Sequence, residues 1–523
     1  MPDIQTIPFS STRTAGRPEA KLFQIGILTA LVYSAFYVFY NTPALSEPRL
    51  NREIFTWVAA IVLGVLFCKG QGILKASIES TAGRGALYKL LAGFALFFSL
   101  FAVLTPNFHS TDLFGYINRG WQQWHYHSNP YVTLISDIPG WMQDPVITDH
   151  WVNNPSPYGF LYMMLAKWLC AVAAFFSNSQ KSPFIAAFKA FNLLVFLFTA
   201  WLIPYTLKKT QGDQAALNAL YLFAWNPLLL IHILMNGHND ILMGSSMAVV
   251  AVLALRGEPN KPHWIWLLPV LCGAILIKYA ALVMLPFALL FLYRQKAYQA
   301  LFWGGFLSGI LAFGVAYPYL IDWQAFKLDR IQHNAQVSHS SFHAFFYHLY
   351  KNIAALMPTL KPYQNQVRQV LKNLFLAVYG ILMLGLFLYA SGIQQHPIIQ
   401  RIYGKLKITR FLLKKTLDGF SAERFVAVSC YAVGALVCLI TFKFYPWYLA
   451  MIFPMALLLD ERHWFKRLLG WFTVSHLLSI TFVGQAHVLN YLLMILLPTA
   501  VFFWRERQQT DLPHSHGNRV SPG

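Results

Sequence analysis

Residues 157–177 read PYGFLYMMLAKWLCAVAAFFS, and the topology of the whole chain turns on them. The stretch is apolar and close to the ~20 residues that one membrane span takes. Counted as a span, it reverses the sidedness of everything after it. Lys208 and Lys209, Arg256 and Lys261, Arg294 and Lys296, and the basic run from Arg401 to Lys415 would then face outward. Laid along the outer interface, it leaves all of them on the cytoplasmic side, where short loops carry an excess of Lys and Arg. Lys167 and the aromatic residues inside the stretch suit that position. The charge distribution therefore predicts a helix lying on the membrane rather than through it.

Working outward, Asn107–Tyr131 comes first, NFHSTDLFGYINRGWQQWHYHSNPY. It follows a long apolar run, is polar and aromatic, and carries a single acid, Asp112. Apolar runs predict spans at 22–40, 54–74 and 86–105 before it. After it come 185–207, 214–235, 240–256, 263–277, 280–293, 299–320, 371–391, 424–442, 446–459, 465–483 and 487–504. That is about 12–14 helices on the length rule for a bilayer. The runs 263–277, 280–293 and 446–459 are short, as expected where helices line a polar cavity instead of lipid.

Composition agrees. The 523 residues are 57% hydrophobic and only 11% charged, against ~25% charged in an average soluble chain. The fold class is an all-α polytopic membrane protein. The net charge of +20 does not point to nucleic acid, because the Lys and Arg cluster between apolar runs and form no basic stripe. Membrane lipids are the partner such clusters suit. The five cysteines lie in apolar runs without a CxxC spacing and read as buried thiols. The polar first 21 residues and the apolar run after them read as an uncleaved first span with its N-terminus in the cytoplasm. The tail after Trp504 is polar and reads as disordered and cytoplasmic.

This topology puts three segments outside: the loop 106–184, the tight connection Asn236–Asp240, and the loop 321–370, rich in His and aromatics. Only 20 acids exist, and few lie at outer span ends. Asp112 stands just beyond one span and Asp240 begins another, in MNGHNDILMGSS. Asp240 has a bland reading as a helix cap; the sharper reading for both is a carboxylate facing a site. His238 and Asp240 could hold a divalent cation, Mg or Mn, or form with Asn239 a hydrogen-bonding cluster for sugar or phosphate. Lys278, in ILIKYAALV, stands alone between two short spans. It snorkels, pairs with an acid, or meets an anion such as a phosphate. Arg119, Arg330 and Lys443, the last opening KFYPWYL, are further cations for a phosphate. Tyr131, Tyr158 and their aromatic neighbours suit sugar stacking or an interfacial belt. No Walker loop, GxSxG, HExxH or dinucleotide fingerprint stands in a strand–helix setting.

The blocks TDLFGYINRGWQQWHYHSNPY, NPSPYGFLYMML, WNPLLLIHILMNGHNDILMGSSMAVVAVL, IKYAALVMLPFALL and KFYPWYLAMIFP together resemble the GT-C glycosyltransferases. The nearest group is the bacterial polyprenyl-phosphate-mannose-dependent α-(1→6)-mannosyltransferases. The resemblance covers roughly 86–460. It implies a GT-C-like bundle with an interfacial helix in the first large outer loop, an extracytoplasmic site in the plasma or inner membrane, and a lipid-phosphate-sugar donor. A glycan or lipid acceptor would be glycosylated with inversion. It also implies that Asp112 is the catalytic base and that Asp240 fills a second acidic position common to the fold; Tyr116, Arg119, Asn129, Tyr131, Tyr158, His238, Asn239, Asp240, Lys278, Arg330 and Lys443 are the candidate substrate-binding residues. The chain then divides into a tail at 1–21, an additional pair of spans at 22–85, the catalytic membrane domain at 86–504 and a tail at 505–523. Phe160 departs from the group, where a small turn-forming Pro often follows Tyr-Gly. A flippase for lipid-linked glycan is the alternative, although such transporters tend to carry internal repeats and none is visible here.

Overall fold

The computed structural model describes residues 18–47, 49–79, 84–178, 180–257, 262–326, 341–392, 420–441, 444–478 and 487–511. Among the described residues there is no strand, and eight helices are long and apolar enough to cross a membrane. They are Pro18–Asn41, Leu50–Ile78, Arg84–Leu104, Ser182–Thr210, Asp213–Met235, Tyr298–Leu320, Pro358–Ser391 and Ala422–Ile440. The chain is an all-α polytopic membrane protein. The runs read as short are short here too: Pro262–Ile277 and Tyr279–Arg294 stay below spanning length, and the helix after Tyr448 covers only Leu449–Ala456.

The segment that decided the topology forms the helix Phe160–Ala174, of 15 residues. At a rise of ~1.5 Å per residue it is about 22 Å long, short of a ~30 Å hydrocarbon core. It packs along a second helix, Asp112–His125. Gln123 ties the two by donating to the Met163 carbonyl at 3.2 Å. Its other face leaves Trp168, Val172, Phe175 and Phe176 exposed, an apolar face suited to lipid.

The centre of the bundle is Asp213–Met235, whose apolar core is wholly enclosed by protein. Asn226 interrupts it. Its side chain accepts from the Leu228 and Leu229 amides and caps a new helical start, which then widens into a π-helical turn over Leu230–Met235. The next helix, Asp240–Arg256, packs against Ser182–Thr210, Leu267–Ile277 and Leu449–Ala456. Thr199 and Ser245 join two of these helices by a 2.7 Å hydroxyl contact, polar glue of the kind membrane bundles use.

Two regions read as loop or tail are partly helical. Within 321–370, Phe342–Leu356 is an amphipathic helix. The last helix runs on to Asp511, beyond the expected start of the tail. Residues 1–17 and 512–523, with most of both terminal tails, lie outside the described residues, as do Arg330 and Lys443.

Candidate active site

The five residues Asn236–Asp240 organise one end of the bundle. The turn needs Gly237 at φ 74°, a left-handed conformation open to glycine without a steric penalty. Leu113 also packs so close that a Cβ at Gly237 would meet it at 3.0 Å. Residues of this turn then hold different parts of the site. The Asn236 side-chain oxygen accepts from the Phe108 and His109 amides at 3.2 and 2.9 Å, while Asn107 donates to the Asn236 carbonyl. The segment leading to Asp112 is thereby clasped. Asn239 accepts from the Tyr116 hydroxyl at 3.4 Å.

His238 and Asp240 each meet a charged partner. His238 Nδ1 lies 3.4 Å from Asp112 Oδ2, and Asp240 Oδ1 lies 2.6 Å from Lys278 Nζ. Both carboxylates open helices, Asp112–His125 and Asp240–Arg256, where the backbone dipole favours negative charge. Asp240 is fully buried, whereas the Asp112 side chain keeps 21% of its surface exposed. Of the two carboxylates, Asp112 is the one open at the surface of the site.

Burial pushes the Asp112 carboxyl up, but the contact with His238 and the positive charges of His238, Lys278 and Arg119 outweigh it. The group sits below its ordinary value and is ionised at neutral pH. Nearby His109 is lowered to about 4, first by burial and then by the charge of His238, so it is neutral there.

Lys278 projects into the site because the chain is not helical at that residue. The helix Leu267–Ile277 stops and Lys278 is extended, with φ −143° and ψ 126°. Gly159 makes room beside the break: its amide donates to the Ile277 carbonyl at 3.1 Å. The Lys278 ammonium sits 5.9 Å from the Tyr158 ring centre and 5.5 Å from that of Tyr448, within the range of cation–π attraction.

Other residues read as substrate ligands have polar atoms engaged in scaffold. Arg119 is buried and donates to the carbonyls of Gly115, Asn154 and Pro155. Asn129 donates to the Tyr319 carbonyl and accepts from the Tyr131 amide. The Tyr131 hydroxyl donates to the Tyr158 carbonyl at 2.7 Å. The Asn129 bond fixes the first large loop to the end of the helix Tyr298–Leu320, and the others tie the loop to itself.

Sequence reading passed over Trp447 and Tyr448. Both belong to the short turn Pro446–Tyr448. Trp447 stacks on His238, with ring centres 3.9 Å apart and planes 15° apart. Tyr448 faces Lys278. The block KFYPWYL was visible, but an aromatic run at a membrane boundary has no local mark separating site from belt.

As a metal centre, the arrangement offers little. Among the described residues no group of three or more His, Cys, Asp or Glu side chains could hold an ion. His238 and Asp240 face a carboxylate and an ammonium respectively.

Residues 37–294 match the family model described as the N-terminal domain of alpha-(1->6)-mannopyranosyltransferase. The chain is 24% identical over 268 residues to alpha-(1->6)-mannopyranosyltransferase A of Corynebacterium glutamicum, covering 50% of each chain. It is 26% identical over 204 residues to an alpha-(1->6)-mannopyranosyltransferase of Mycobacterium tuberculosis, covering 31% of this chain and 33% of the relative. A probable alpha-(1->6)-mannopyranosyltransferase of Mycolicibacterium smegmatis is 27% identical over 177 residues, covering 30% of each. The chain thus spans half or less of the length of these relatives. No solved structure matches it. These matches bear out the resemblance to the GT-C-like mannosyltransferase group that the sequence blocks carry.

Proposed function

We propose that this protein moves a sugar, mannose in the simplest reading, from a polyprenyl-phosphate carrier to a hydroxyl of a glycan or lipid acceptor at the extracytoplasmic face of the membrane. The observation that carries the proposal is the partly exposed, ionised Asp112 beside the Lys278–Asp240 pair at one end of the bundle. The similarity to alpha-(1->6)-mannopyranosyltransferases supports it.

The chemistry follows from the two pairs. The acceptor oxygen attacks the anomeric carbon, and its proton goes to the Asp112 carboxylate. The bond from that carbon to the phosphate oxygen breaks on the opposite face, so the configuration inverts. A carboxylate with a lowered pKa is too weak a base to deprotonate a free alcohol in advance. The proton instead moves as the new bond forms and the hydroxyl becomes acidic, assistance worth about 10²–10⁴-fold. Polyprenyl phosphate leaves as an anion and needs no proton. The Lys278 ammonium meets its charge, and one such donor in a water-poor site contributes ~10²–10³-fold. Asp240 holds that ammonium in place. No step calls on a metal ion.

The test is transfer by the purified full-length protein in detergent, with polyprenyl-phosphate mannose as donor and an alkyl mannoside as acceptor, read by mass spectrometry. A mannosylated product, absent with Asp112→Asn, is expected. Movement of the lipid-linked sugar across liposomes with no product would overturn the transferase reading in favour of a flippase.

A further inference from the structure

We propose that His238 is a positioning residue for this reaction: it fixes Asp112 in the orientation that receives the acceptor proton and does not itself touch substrate. The inference rests on the assignment of Asp112 as base given above. Its grounds are burial, the facing nitrogen and an aromatic column behind the imidazole.

His238 has no exposed surface, so no substrate reaches it while the bundle is packed. Its ring stacks on Trp447 at 3.9 Å. Trp447 stacks in turn on Tyr445, with centres 4.4 Å apart and planes 6° apart. The backbone is held as firmly. The His238 amide donates to the His232 carbonyl at 3.3 Å, and the His238 carbonyl accepts from Asn192 at 3.1 Å. The imidazole therefore has one place to be, with Nδ1 toward Asp112 Oδ2 at 3.4 Å.

That contact engages one carboxylate oxygen and leaves the other for the acceptor. The contact is at ion-pair distance rather than hydrogen-bond geometry, and a proton on Nδ1 would draw the carboxylate oxygen toward the fixed ring. Asn236 in the same turn clasps the backbone of Phe108 and His109, so one turn sets both the approach of the chain to Asp112 and the rotation of its carboxylate. Small errors in such placement are expensive, since a misplacement of about 1 Å can lower a rate ~10²-fold.

The geometry also supplies the variants that separate this role from packing. Asn places an amide nitrogen near the position of Nδ1 but gives up the ring. Phe keeps a ring against Trp447 but has no nitrogen. The rate and the donor and acceptor KM of full-length H238N and H238F are measured beside D112N and the double variant D112N/H238F, with a thermal melt of each. H238F is expected to lose about 10-fold or more in kcat with donor KM within about twofold, while H238N keeps a rate within about threefold of the parent, consistent with loss of positioning alone. In the D112N background, H238F should cost nothing further, because two residues acting through one group are not additive.

A normal kcat in H238F overturns the inference, as does a change confined to KM. A parallel fall of rate and melting temperature in both single variants assigns His238 to packing and also overturns it. Activity retained by D112N means that the base assignment has failed. D112N inactive with H238F normal leaves that assignment standing and sinks this inference alone.

Discussion

Lys278 and Asp240, on different helices, meet at 2.6 Å with Asp240 fully buried and Lys278 still 17% exposed. The pair is thus asymmetric: the carboxylate is the anchor and the ammonium is the end that reaches the site. Among the described residues Asp240 Oδ2 has no hydrogen-bond partner, which leaves the buried carboxylate dependent on the lysine. Breaking such a pair from one side strands a charge in low dielectric, at a cost of about 3–5 kcal/mol.

Lys278→Met should therefore weaken both donor use and the fold. Lys278→Met with Asp240→Asn should recover most of the melting temperature without recovering donor affinity, because it removes both charges together. Melting curves and initial rates against donor concentration separate the two effects. A double variant as unstable as Lys278→Met would show that the pair is not what anchors this corner.

Asp112→Asn keeps the size and shape of the side chain and removes the basic oxygen. Turnover should fall by at least ~10²-fold if Asp112 is a general base, with melting lowered only by the lost charge contact with His238. Near-normal turnover would reject the role and leave His109 or Asp240 to be tried as the base.

Gly159→Ala tests the packing beside Lys278. A Cβ there would lie 2.2 Å from the Leu276 carbonyl oxygen, so one chain must shift. Overpacking of this kind costs about 1–3 kcal/mol. The shift should also raise donor KM, since Lys278 follows two residues later. A variant with parental melting and KM would mean that the two segments part freely.

Stability should fall in acid over a defined window. His109 has an unfolded value near 6.5 and a folded value of about 4. Between the two the unfolded chain binds the proton more readily, so stability is lost as pH falls through that range. Asp112, lowered below 3.8, has the opposite charge logic and a lower window. Its stabilisation is present above its unfolded value and is lost as pH falls through the folded one. Melting temperature between pH 7 and about pH 4, compared between the parent and His109→Gln, reads the first effect. An unchanged slope in the variant would contradict it.

Sidedness can be read by cysteine labelling in a background lacking the native thiols. Met142→Cys, at a side chain 75% exposed in the first large loop, should react with an impermeant reagent from outside. Lys209→Cys, exposed at the other end of a span, should not. Reaction of Lys209→Cys alone would invert the topology and remove the extracytoplasmic donor from the proposal.

Much of the fold was legible along the chain because membrane helices are local objects. Each must satisfy its own backbone hydrogen bonds inside lipid, so apolar length alone marks Pro18–Asn41 or Tyr298–Leu320. The break at Lys278 and the start of a helix at Asp240 were visible for the same reason. The non-spanning reading of residues 157–177 came from the charges of distant short loops, and the helix there is 15 residues long.

What the chain could not disclose is which groups face each other. Nothing near Asp112 in the sequence marks His238 as its neighbour, and nothing near Lys278 marks Asp240. Arg119, Asn129 and Tyr131 look like ligands in a list of polar residues, yet their polar atoms hold scaffold carbonyls and amides. Trp447 looks like one more aromatic at a membrane boundary until its ring lies on His238. Span length depends on the peptide backbone and lipid, which every segment meets alone. The pairing of a carboxylate with a cation depends on how separate helices pack, and only the assembled bundle decides it.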